Sequence, residues 1–198
     1  MTEPQDTENY EHDTGGIMKV LREMQIKTDN FIVGDRIRVK INNEKHYATA
    51  IRQDKDGMLF LFDDCLNEAR TMNKSGSTEG GYEESDLRKW LNTIDLTMPE
   101  KLLSKMAPLE HGDFLSLLDM KEAFGLDTDY NSVPGQIPWL KDRRHRVADR
   151  RGKDYEYWWL RDVVNGTYFA FVDANGYADT YYASNTLGVR PCFKIENL

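Results

Sequence analysis

RIRVKINNEKHYATAIRQDKDGMLFLF, residues 36–62, decides the reading of this chain. Ile37, Val39 and Ile41 alternate with Arg36, Arg38 and Lys40, and Tyr47, Thr49 and Ile51 resume the same period. Successive side chains of a strand point to opposite faces, so a period of two describes strands with one face in the core. Asn42-Asn43 separates the first two runs, and asparagine tolerates the positive φ that a hairpin turn needs. Asp54-Lys55-Asp56-Gly57 is a second turn, and MLFLF (58–62) reads as a continuous apolar strand. The stretch predicts a three-stranded β-meander.

Working outward, residues 67–83 are polar and Gly-rich and read as loop. ESDLRKWLNTI (84–94) takes helical spacing, with Ser85 as N-cap and Leu87, Trp90 and Leu91 on one face. Thr97, Pro99 and Glu100 predict a capping box, with Leu102, Leu103 and Met106 as the buried stripe behind it. DFLSLLD (113–119) reads as a strand. Asp119 with Glu122 caps a short helix, MKEAFG, which Gly125 stops. Residues 126–138 are loop. From 141 to 153, seven Lys or Arg stand against two Asp, the one basic concentration of the chain. TYFAFVDANGYADTYY then carries an Asn175-Gly176 hairpin signal, and GVRPCFKI closes the chain as a strand with a short tail. Strands, helices and strands in this order make an α+β fold in one domain over 31–198.

The net charge is −8 over 198 residues. Residues 1–16 hold five acids and no Lys or Arg, so 1–30 read as an acidic flexible tail followed by a short amphipathic segment, GIMKVLREMQI (16–26), either helix or edge strand. That N-terminus lacks the basic and apolar regions of a secretory signal, and no stretch approaches the length of a membrane helix. The expected location is therefore cytoplasm or virion. An acidic chain is a poor nucleic-acid binder except where its cations concentrate, so the 141–153 run keeps that partner only as a minor reading; its ordinary role is a solvated loop.

Several motifs in order carry a family resemblance. YWWLRD (157–162), the NG hairpin and GVRPCFKI (188–195) resemble a bacterial and phage domain family of unknown function with a WWLR…GVRP signature. YEESDLRKWLN (82–92), DFLSLLDMKEAFG (113–125) and PWLKDRRHR agree with it, so the resemblance extends over about residues 31–195. It implies a C-type-lectin-like fold related to formylglycine-generating enzymes. In that fold the chain ends meet in a small sheet, two helices flank it, and a loop-rich region presents a ligand surface. Fold alone does not give function.

Within the signature, Trp158 and Trp159 face opposite sides at period two, one in the core and the other covering a loop. Arg161 and Arg190 order loops by bonding to carbonyls or carboxylates, with ligand contact as the alternative. Gly188 supplies a turn, and Pro191 sits near a last strand at the sheet edge.

Chemistry is sparse. Cys65 and Cys192 are far apart in sequence and read as buried thiols, a disulfide or redox role being the alternative. They do not form the neighbouring reactive pair of the formylglycine-generating oxidases, and no nucleophile elbow or His-based metal motif occurs. The expectation is no enzyme, no metal and no cofactor. Asp127-Thr-Asp129-Tyr-Asn131 and the Asp173–Asp179 stretch offer oxygens at alternate positions, but as turns first and structural calcium sites only second.

Residues 165–186 are the candidate surface, rich in Tyr, Asn, Asp and Thr: Asn165, Tyr168, Asp173, Asn175, Tyr177, Asp179, Tyr181, Tyr182 and Asn185. Tyrosine among small polar residues gives rigid contact area with little entropy to lose. Such composition also arises in C-type-lectin-like proteins diversified by retroelements, and equally from ordinary hairpin preferences. The expected function is a non-enzymatic module recognising an unknown protein or glycan, with a phage or prophage host-contact or structural role implied by the resemblance. The alternative is an intracellular enzyme or regulatory protein on the same fold. Oligomeric state is left open.

Overall fold

The structure, a computed structural model, describes residues 31–150 and 153–197; the expectations for residues 1–30 lie outside them. The meander is β1 (Arg36–Ile41), β2 (Glu44–Gln53) and β3 (Gly57–Phe62). Asn42 and Asn43 take φ of 47° and 69°, the two positive angles of a tight hairpin turn. There follow β4 (Arg70–Thr71), α1 (Asp86–Leu91), β5 (Leu96–Thr97), α2 (Glu100–Leu103), β6 (Met106–Ala107) and α3 (Met120–Phe124). Two 3₁₀ turns at Pro138–Lys141 and Arg143–His145 lead into β7 (Ala148–Arg150) and β8 (Lys153–Glu156). The chain closes with β9 (Trp158–Asn165), β10 (Tyr168–Val172), β11 (Ala178–Tyr182), β12 (Thr186–Leu187) and β13 (Cys192–Glu196).

These strands form a mixed α+β domain around a curled antiparallel sheet of order β5-β1-β2-β3-β13-β6, beside a three-stranded sheet of order β11-β10-β9. Two small ladders, β12-β4 and β7-β8, tie loops together. The core has two clusters, one on each face of the large sheet. Met58, Phe60 and Phe62 of β3 join Phe193, Ile195, Trp159, Phe169 and Phe171 on one side. Leu59 and Leu61 join Cys192, Met120, Leu140, Trp158 and Leu160 on the other. That is why MLFLF is continuous rather than alternating: β3 is buried on both faces. The Phe60 and Phe193 rings stack at 5.4 Å across the strand pair.

Local signals hold where nothing competes. Ser85 accepts from the Arg88 amide at 3.0 Å and caps α1. Asp119 and Glu122 form a reciprocal capping box on α3, and Gly125 ends it at φ 69°. The expected Thr97 box is overturned. Thr97 is recruited into β5 opposite Lys40, because the open edge of β1 needs ladder partners. α2 is left with Pro99 at its cap position and no side-chain cap bond. Of the expected α2 stripe, Leu103 is 41% exposed and Met106 pairs with Ile195 as a strand.

Residues 113–119 make only one bridge, Ser116 to Cys192, since β6 already occupies the next positions along β13. The loop read over 67–83 contains β4, paired with β12. Pro191 is not at a sheet edge: β13 lies between β3 and β6, and the proline is tolerated because it stands just before the strand. β1 and β13, the first and last strands among the described residues, lie in the same sheet with β2 and β3 between them.

Candidate functional site

The β10–β11 hairpin follows from its turn chemistry. Asp173 Oδ1 accepts from the Asn175 amide at 2.9 Å and the Tyr177 amide at 2.7 Å, and Gly176 takes φ 80°. Asn165 does the same at the β9–β10 turn, accepting from the Thr167 and Tyr168 amides at 3.1 and 3.2 Å. Asp173 and Asn165 thus spend these side-chain oxygens on shaping turns. Asn175 is exposed, and its backbone carbonyl accepts from the Arg143 guanidinium. Asn185 is half-buried, its amide bonded to the Tyr182 carbonyl.

The basic run is docked on this hairpin. Buried Arg146 donates to the Gly176 carbonyl at 2.9 Å, and Arg143 stands over the Tyr177 ring at 5.1 Å. A Cβ on Gly176 would sit 2.8 Å from the Arg143 carbonyl oxygen, so the two segments touch backbone to backbone. Arg146, missed in the sequence reading, had one available signal: it is the arginine nearest the apolar Val147-Ala148 pair that enters β7.

The tyrosines are spread around β11, an edge strand of its sheet. Tyr182 pairs with Tyr168 across the ladder, ring centroids 4.5 Å apart. Tyr181 points to the opposite face and meets Phe171 at 5.8 Å, and exposed Tyr157 meets the same phenylalanine at 5.5 Å. Tyr177 stands at the tip, about 13 Å along the strand from Tyr181 at ~3.3 Å per residue. Tyr177, Tyr181 and Tyr182 are 56, 40 and 48% exposed. Asp179 is exposed between them; with burial, its charge holds the Tyr130 hydroxyl above its ordinary pKa. The structure therefore gathers Tyr168 with Tyr182, sets Tyr181 on the far face, and leaves Tyr177 with the basic loop.

The signature residues are internal. Trp158 and Trp159 do face opposite clusters, but both are fully buried, so neither serves merely as a loop cover. Their indole N–H groups donate to the Arg146 and Arg70 carbonyls at 2.9 and 2.8 Å. Arg190 is buried and donates to the Phe62 and His145 carbonyls at 2.8 and 2.9 Å. Burial lowers its pKa, while the charges of Asp63 and Asp64 oppose that. Gly188 makes no turn. Its amide donates to the Tyr157 carbonyl at 2.7 Å, and a Cβ there would strike Cys65 Sγ at 2.7 Å, so glycine serves a close backbone crossing.

Two clefts lined in part by charged side chains stand apart from the hairpin. One, of ≈ 280 Å³, lies between Lys45–Tyr47, Asp64–Asn67 and Asp149. Burial first, and the Asp149 charge second, push the Asp64 carboxyl up. The other, of ≈ 220 Å³, opens on the face of β2, β3 and β13 where Arg52, Arg161 and Lys194 converge. Arg161 pairs with Glu110 at 2.9 Å and Asp119 at 2.8 Å, and Arg52 with Glu122 at 2.8 Å. Behind it, burial raises Asp162 to about 6 although the Met120 amide donates to it at 2.7 Å.

Cys65 and Cys192 are free and buried, and burial raises both thiols, Cys192 to about 12. Asp127 accepts from the Asp129 and Asn131 amides at 3.0 and 2.9 Å, the turn chemistry also seen at Asp173. Among the described residues no group of three or more His, Cys, Asp or Glu side chains could hold a metal ion, and no helix is long and apolar enough to cross a membrane.

The fold is thus an α+β domain whose aromatic and arginine residues at 158–159 and 190 are buried. Residues 114–197 match the model of a family described as Domain of unknown function (DUF6273). YWWLRD and GVRPCFKI fall inside the matched stretch; the meander and YEESDLRKWLN fall outside it, so the match is narrower than the 31–195 resemblance. No curated protein and no solved structure matches the chain.

Proposed function

We propose that this domain is a non-enzymatic recognition module whose contact surface is the β10–β11 hairpin, and that its partner is a protein segment bound in extended form along β11. The observation that carries the reading is the open edge of β11, with Tyr181 on one face of the strand and Tyr182 on the other. An edge strand offers backbone donors and acceptors to a partner, and side chains alternating on either face select it. In β11 the Thr180 amide already donates to Asp179 Oδ1 at 2.7 Å and the Tyr182 carbonyl accepts from the Asn185 amide at 2.9 Å, so a partner strand must displace these two bonds or pair beside them. Exposed tyrosines add contact area at small entropic cost. Asp173, Asn165 and Arg146 fix the hairpin beforehand, which lowers the ordering cost of binding.

The buried, protonated thiols of Cys65 and Cys192 are unsuited to thiolate chemistry, which supports a binding role over an oxidase. The reading extends, through the family resemblance, to a C-type-lectin-like fold and to a host-contact or structural role in a phage or prophage. The Tyr/Asn composition of the hairpin fits diversification of that surface.

The test is an array of extended peptides probed with the full chain, beside a glycan array. A retained peptide that is lost when Tyr181 and Tyr182 become alanine supports the proposal. Retention on glycans alone refutes the protein partner.

A further inference from the structure

We propose that the ≈ 220 Å³ cleft on the β2-β3-β13 face is a binding site for a small organic carboxylate with a compact apolar body. Three cations from three separate strands, Arg52, Arg161 and Lys194, line it. Leu59, Leu109 and Leu117 supply apolar wall. A cleft with apolar sides and a few converging charges is the common form of a small-ligand site.

The cations are not equally committed. Lys194 is held by Asp54 and Asp56 at 3.5 and 3.1 Å, and Arg52 by Asp54 and Glu122 at 2.6 and 2.8 Å. Arg161 is held from the inside by Asp119, whose side chain is 20% exposed. Its second terminal nitrogen faces Glu110, whose side chain is 69% exposed at the cleft mouth. An ion pair to so exposed a carboxylate adds little stability. Glu110 therefore acts as a displaceable stand-in. A ligand carboxylate takes its place on Nη1 of Arg161 while Nη2 stays with Asp119 and Glu110 swings into water. With Glu110 gone, Asp54, Asp56, Asp119 and Glu122 still hold the other contacts of the three cations, and the terminal nitrogen of Arg161 that Glu110 vacates is the one left to pair, so a ligand carboxylate restores an ion pair that a neutral ligand does not. The site is independent of the hairpin surface and of its partner.

Calorimetric titration of the full chain tests this with benzoate, its neutral isostere benzamide, and inorganic phosphate. Benzoate binds and benzamide does not. Glu110→Gln removes the competitor and tightens benzoate about threefold. Lys194→Met weakens it about tenfold with the fold intact by thermal melting. Equal affinity for benzoate and benzamide, phosphate binding in place of benzoate, an unchanged or weaker Glu110→Gln, or no heat up to about 10 mM benzoate in both wild type and Glu110→Gln, each overturns the assignment.

Discussion

The Arg146 guanidinium donates to the Gly176 carbonyl at 2.9 Å, and through that bond the basic run becomes part of the Tyr-rich hairpin. Arg146 is buried, and its other partners are the Leu140 carbonyl and the Phe124 ring at 4.8 Å. Backbone carbonyls and a π-face therefore stand where a carboxylate would be usual. Burial accordingly lowers the pKa of Arg146. The fork is what suits arginine to the position: one planar group reaches the 3₁₀ turn and the hairpin tip together.

Arg146→Lys keeps the charge and removes the fork. One carbonyl is then left without its donor in a dry site, and the expected loss is about 1–3 kcal/mol in urea denaturation. Hydrogen exchange at the Tyr177 amide should quicken as the turn loosens. An unchanged midpoint would mean that the arginine merely fills space.

Gly176→Ala attacks the same junction from the other side. The position has φ 80°, and the added methyl would meet the Arg143 carbonyl at 2.8 Å. The expected cost exceeds about 1 kcal/mol, seen as a lower melting temperature. A neutral substitution would show that the loop is not seated on the hairpin.

These contacts mark the limit of what the residues announce by themselves. Turns and caps are local, so Asn42-Asn43, Ser85, the Asp119–Glu122 box and the Asn175-Gly176 hairpin were legible. Thr97 was not, because a long-range demand, the open edge of β1, outweighed a local cap. Residues 113–119 failed for a similar reason: an apolar run shows a wish to be buried, not whether a free strand edge exists. The surface at 165–186 was legible as composition, but not its division between two faces of β11. The Arg52–Arg161–Lys194 cleft was invisible, since it joins residues from three distant strands.

Asp162 gives a pH prediction. Burial chiefly, with the Asp119 charge adding, raises its carboxyl from 3.8 to about 6, while the Met120 amide and Arg161 oppose the shift. The folded state then prefers the neutral acid. This group's stabilising contribution is fully present below about pH 4 and is lost as pH rises through about 6. Asp162→Asn mimics the neutral form, so relative to wild type it should gain about 3 kcal/mol between pH 4 and 7. Denaturation curves over that range check it; a difference that is flat or falls with pH would contradict it.

The cysteines should be inert while the protein is folded. With both thiols buried and raised in pKa, iodoacetamide at pH 8 should alkylate Cys65 and Cys192 only as fast as the domain opens. Mass spectrometry of native and urea-treated samples reads this directly, and rapid labelling of the native protein would contradict the burial.

The most direct test of the recognition surface is the triple variant Tyr177→Ala, Tyr181→Ala, Tyr182→Ala, read by its melting temperature and by binding to a peptide that the wild type retains on the array. The account predicts a melting temperature nearly unchanged and binding abolished. A variant that unfolds, or that folds and still binds the peptide as wild type does, would contradict it.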